Sequence, residues 1–122
     1  MIVVDTNLIA YLYVNGEYSE QAEKVCQKDS QWSAPLIWRS EFRNILMKCV
    51  NNNSFGLETA LPIMGEAEIL LKDREFVVKS EEVLKLASSA SCSVHDAEFV
   101  WLAREMGVPY ITVDPWLLQT FP

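Results

Sequence analysis

Ile2-Val3-Val4-Asp5-Thr6-Asn7 opens the chain with three apolar residues that stop on an aspartate. A run without alternation has no polar side to turn to water, so it reads as a buried strand of a parallel sheet. The far end repeats the pattern, with Tyr110-Ile111-Thr112-Val113 stopping on Asp114. Both aspartates would then lie at the carboxyl edge of one sheet, where open α/β folds build their sites. Working inward, two further acids fall on helical stretches, Glu41 in Trp38-Arg39-Ser40-Glu41-Phe42 and Asp96 in Ser93-Val94-His95-Asp96-Ala97. Carboxylates gathered in one place need a cation to offset their repulsion, so the chain is expected to be a metal-dependent enzyme.

Between the two end strands, helical and extended patterns alternate. Residues 1–5 read as strand, 6–13 and 19–28 as helices, 31–34 as a second strand, and Pro35 leads into a helix running to about residue 50. A long amphipathic segment follows at 57–71, where Pro62 marks a kink or divides the helix in two. Residues 75–78 form a third strand, 80–89 a helix, and 93–106 another helix closed by Gly107 and Pro109. The strand at 110–113 and a short helical turn after Pro115 complete the chain. Strands separated by helices imply a three-layer α/β/α sandwich around a parallel sheet of four to five short strands, joined by right-handed crossovers. With 122 residues, half of them hydrophobic, residues 1–122 are expected to form a single domain with a proper core.

Composition narrows the chemistry. No apolar run is long enough to span a membrane and no basic leader precedes the first strand, so the chain reads as cytoplasmic, without a membrane partner. Cys26, Cys49 and Cys92 are odd in number and lack CxxC spacing, which argues against disulfides and zinc and for small buried hydrophobes. The only histidine, His95, rules out a histidine-rich site, and reads as an exposed residue at a helix start. No GxGxxG, Walker loop or nucleophile elbow occurs. A formal charge of −7 pulls against a polyanionic substrate unless bound metal offsets it locally. Arg39 and Arg43, spaced i, i+4 on the helix that carries Glu41, would supply a basic flank for substrate phosphates; a solvated helix face is the other reading.

Each acid also has a plain structural reading. Asp5 and Asp114 directly precede helical stretches and suit N-caps, while Ser93-Val94-His95-Asp96 matches a capping box. Glu41 differs, because no residue one turn away in its helix is basic and it borders an apolar stripe.

Taken together, the Val-Asp-Thr-Asn strand end, the helical Ser-Glu-Phe, the Asp-Ala opening a helix that ends in Gly-Val-Pro, and the closing Thr-Val-Asp resemble the PIN-domain ribonucleases, specifically VapC-like toxins of toxin–antitoxin pairs. The resemblance spans essentially the whole chain. It implies an endoribonuclease dependent on Mg²⁺ or Mn²⁺, with Asp5, Glu41, Asp96 and Asp114 as its acidic quartet. Direct ligation would fall to Asp5, Asp96 and Asp114, and Glu41 would ligate or accept a proton. Asn7 and Thr112 would orient carboxylates or substrate beside the first and last acids. Glu98 departs from the pattern and is a candidate extra ligand. The resemblance also implies RNA as substrate, a cognate antitoxin as partner, and a homodimer burying tryptophan and C-terminal apolar surface. The apolar face of residues 57–71, with Leu8, Leu12 and Tyr13, is the candidate antitoxin groove. Two other classes stay open: a DNA or structure-specific nuclease on the same scaffold, and a non-catalytic interaction module whose acids serve as caps.

Overall fold

The computed structural model describes residues 1–14 and 18–112, and its sheet consists of β1 (Ile2–Val4), β2 (Trp32–Pro35), β3 (Glu75–Phe76) and β4 (Tyr110–Ile111). Strand order is β3-β2-β1-β4, with every neighbouring pair parallel. Ile2 lies opposite Trp32, Val3 opposite Tyr110, and Ala34 opposite Glu75. All residues of β1 and β2 are buried, which is why neither strand carries the alternation of a half-exposed sheet. β3 stops two residues short of the expected 75–78. Its neighbour β2 ends at Pro35 and turns away after Leu36 bonds to Phe76 O, so Val77 and Val78 have no strand to pair with.

Helices α1 (Thr6–Tyr13) and α2 (Ser19–Lys28) join β1 to β2; α3 (Trp38–Asn51) and α4 (Leu57–Leu70) join β2 to β3; α5 (Ser80–Ala90) and α6 (Val94–Met106) join β3 to β4. The first two crossovers step along the sheet in one direction, and the third jumps back past β2 and β1. With right-handed connections, that reversal places α1 to α4 on one face and α5 and α6 on the other. The packing follows suit: α1 lies against α2, α3 and α4, whereas α6 lies against α5, β1, β2 and β4. The result is the three-layer α/β/α sandwich of a PIN-like fold. Its strand order reverses between β1 and β4, so a crevice opens at their carboxyl ends.

The core is built around Trp32, Trp38, Phe42, Leu8, Ile9 and Leu71, all fully enclosed. Trp38 meets Phe42 edge to face at 5.8 Å between centroids, a favoured aromatic geometry. Three expectations change here. Trp32, Trp38 and Trp101 are interior, so they offer no surface to a dimer; Trp116 lies outside the described residues. Leu8 is likewise enclosed and cannot line an antitoxin groove. The three cysteines are free and half-buried rather than core. α4 runs as one helix through Pro62, whose exposed position leaves the unbonded carbonyl one turn earlier open to water. No described helix is long and apolar enough to cross a membrane.

Candidate active site

Asp5 sits where β1 ends, in extended conformation at the N-cap of α1. Its Oδ1 accepts the Leu8 amide at 2.7 Å, and its Oδ2 accepts the Thr112 hydroxyl from beyond β4. Capping and site-building are therefore one arrangement: the cap holds the carboxylate at the strand end, and the neighbouring strand fixes its other oxygen. Glu41 lies in the first turn of α3, and the partners its own helix lacks come from elsewhere. Thr6 donates its hydroxyl to Oε1 at 2.7 Å, and His95 Nδ1 stands 3.5 Å from Oε2. On α6, Ser93 caps the helix by accepting the Asp96 amide at 3.1 Å, which sets Asp96 in the first turn as the capping box requires.

These elements converge on one cleft of about 490 Å³, lined by Asp5, Asn7, Glu41 and Asp96. Thr6, Ser40, Asn44 and Ile45 join from the α1 to α4 side, and His95 and Phe99 from α6, with Tyr110 of β4 between. Tyr110 stacks on Phe99 at 6.1 Å between centroids. Burial, followed by the nearby Asp5, Asp96 and Glu41 carboxylates, pushes its hydroxyl far above the ordinary tyrosine range, so it remains a proton-bearing donor at neutral pH. Glu98 does not line the cleft. It lies close enough to sense it: burial raises its carboxyl, His95 counteracts that, and Glu41 adds to it.

Asp114 and the segment that carries it lie outside the described residues. Among those described, no three acid, imidazole or thiol groups converge closely enough to hold a metal by themselves; Asp5 and Glu41 instead direct their oxygens to the amide and hydroxyl donors named above. The three carboxylates that line the cleft, as oxygen donors, would suit a hard divalent cation better than a soft one.

The basic flank takes a different form from the expected one. Arg39 grips Glu75 of β3 through both Nε and Nη2, the latter at 2.7 Å, and reaches Glu68 at 3.2 Å. It therefore ties α3 to the sheet edge and is absent from the cleft lining; Arg43 is exposed and also absent from it. Sequence reasoning missed Thr6, Ser40, Asn44 and Tyr110, and the contact of His95 with Glu41. Ser40 and Asn44 were within its reach, since Asn44 stands one turn beyond Glu41 on the same helical face.

No protein-family profile matches the chain. Along its length it is similar to Ribonuclease VapC3 of Pyrobaculum aerophilum, with 30% identity over 124 residues, 99% of this chain and 95% of the relative. The chain belongs to the VapC family. Among solved structures, the crystal structure of the Pyrobaculum aerophilum protein PAE2754 superposes on it with a TM-score of 0.77, covering 98% of this chain and 84% of that one. At 18% identity, that likeness speaks for a shared fold alone. Because the VapC match runs nearly end to end, it takes in every element that contributes to the cleft of this VapC-family chain.

Proposed function

We propose that this protein is an endoribonuclease of the PIN type, formed by residues 1–122 as one domain, acting as the toxin of a cytoplasmic toxin–antitoxin pair and dependent on Mg²⁺ or Mn²⁺. The observation that carries this reading is the meeting of Asp5, Glu41 and Asp96, from three separate elements, in one cleft. Family membership supports RNA as the substrate. Asp5 and Asp96, with Asp114, would hold the cation; Glu41 would ligate or take a proton from the attacking water. When bound, the divalent ion offsets charge developing on the phosphate oxygens and makes water a competent nucleophile at neutral pH. Around it, Thr6 and Thr112 fix the carboxylate oxygens, while Asn7, Ser40 and Asn44 offer neutral hydrogen bonds to RNA. Tyr110 donates a proton-bearing hydroxyl beside Asp5. No lysine or arginine is among the described lining residues, so in this reading protein charge would contribute little to holding the phosphate.

The antitoxin would cover exposed apolar surface on α4, where Leu57, Leu61 and Ile69 stand at i, i+4 and i+12, and a homodimer is the expected free form. The deciding experiment incubates the purified chain with labelled RNA and DNA oligonucleotides and Mn²⁺, Mg²⁺ or chelator. Metal-dependent RNA cleavage, lost in Asp5→Asn, supports the reading. Cleavage of DNA alone would replace the substrate class, and no cleavage in any arm would return the acids to the role of caps.

A further inference from the structure

We propose that His95 is a positioning residue for Glu41, reaching across from the opposite helical layer so that both oxygens of that carboxylate are held. This rests on the nuclease reading for its consequence, and on geometry for its existence. Glu41 stands on α3, in the layer of α1 to α4, and Thr6 from α1 in the same layer bonds Oε1 at 2.7 Å. One hydrogen bond to one oxygen leaves the carboxylate free to swing about it. His95, on α6 in the other layer, faces the second oxygen at 3.5 Å. That separation is longer than a formed hydrogen bond; catalytic hydrogen bonds are commonly long without substrate and tighten when it enters. Donors from opposite layers would then set the plane of the carboxylate, which neither layer sets alone.

Position argues for the same role. The ring lines the cleft yet its side chain is 59% exposed, so it contributes little to the core and is poorly explained as a packing residue. A neutral imidazole suffices, provided its single proton is on Nδ1. The contact therefore predicts a tautomer: Nδ1–H, held by Glu41.

Because the chain has one histidine, its ring nitrogens can be assigned without ambiguity. Long-range ¹⁵N correlation spectra of the intact protein, recorded where the ring is neutral, should show the Nδ1–H tautomer as the major form. Glu41→Ala should return the ring to mainly Nε2–H. In parallel, His95→Ala should lower kcat about 10- to 100-fold, the loss typical when a partner that orients a ligand is removed. Its KM for RNA and its melting temperature should hardly move. His95→Asn, which keeps a donor near the Nδ1 position, should restore most of the rate, and His95→Gln, with its donor near the Nε2 position, should not. An Nε2–H ring indifferent to Glu41→Ala would overturn the proposal, as would wild-type kcat in His95→Ala. A chain that cleaves no RNA yet shows the Glu41-dependent Nδ1–H tautomer would uphold the contact and defeat the nuclease reading, so the two failures are distinguishable.

Discussion

Asp5 caps α1 and lines the cleft, and substitutions separate the cap from the proposed metal-binding role. Asparagine keeps an oxygen for the Leu8 amide while removing the charge, so Asp5→Asn should abolish metal-dependent cleavage and leave thermal stability equal or higher. Alanine also removes the acceptor and should cost about 1 kcal/mol, the usual loss for an N-cap; a denaturation midpoint for each variant checks both. The sequence displayed this residue as cap or ligand; the cap is seen in the structure, and because the helix start and the strand end are the same place, the capping carboxylate also lines the cleft. Arg39 shows the opposite outcome. Its spacing from Arg43 suggested a phosphate-binding face, but the bidentate partner Glu75 lies on a strand that no helical periodicity reveals. Arg39→Ala should therefore cost about 2 kcal/mol through lost charged hydrogen bonds, with little effect on RNA binding. The Arg39 hydrogen bonds, and then that of the Trp38 indole, hold the Glu75 carboxyl below the usual glutamate range. A folded-state pKa lowered in this way gives stability that is present above the unfolded value and is lost as pH falls through the lowered one. The gap between wild type and Arg39→Ala should accordingly be full at neutral pH and close in acid, as urea titrations across pH would show.

Helices were the most legible elements. The expected spans 6–13 and 19–28 coincide with α1 and α2, because a cap or a turn precedes each and an apolar stripe runs along it. Gly107 closes α6 in the left-handed region at φ 66°, as its place before Val108 and Pro109 implied. Gly107→Ala should cost about 1 kcal/mol, since a Cβ is strained there. Strand lengths were less legible, because a parallel strand is as long as its neighbour allows, and β3 ends where β2 turns away. α4 shows a propensity signal overridden by packing: Ala60, Ala67 and the adjoining Leu71 are buried and hold the helix together across Pro62. Pro62→Ala should then raise stability by about 1–2 kcal/mol, the helix gain less the lost stiffness of the unfolded chain. A rise of several degrees in Tm would register it.

At the scale of the molecule, three of the acids recognised by their order along the chain, Asp5, Glu41 and Asp96, line one cleft where the strand order reverses, since chain topology, unlike side-chain contact, can be reasoned from alternating elements; Asp114 lies outside the described residues. What stayed hidden were contacts between helices on opposite faces, such as His95 with Glu41, which no local pattern encodes. Gathered carboxylates in a chain of net charge −7 repel one another, so a cation that binds only the folded form should stabilise it. Mn²⁺ at about 100 times its Kd should add about 2.7 kcal/mol, visible as a rise in Tm that Asp5→Asn abolishes. RNA binding should itself require the cation and should show a shallow salt dependence, with a log–log slope of about −1 to −2, because few basic side chains meet phosphate. The bond from Thr112 to Asp5 closes a separation of 107 residues. Synthesis delivers the two partners far apart in time, and domains take shape as their parts emerge. β1, β2 and β3 are all made while the cleft still lacks the wall that β4 supplies. A nascent chain should therefore gain whatever the cleft does only once β4 has come to rest beside β1.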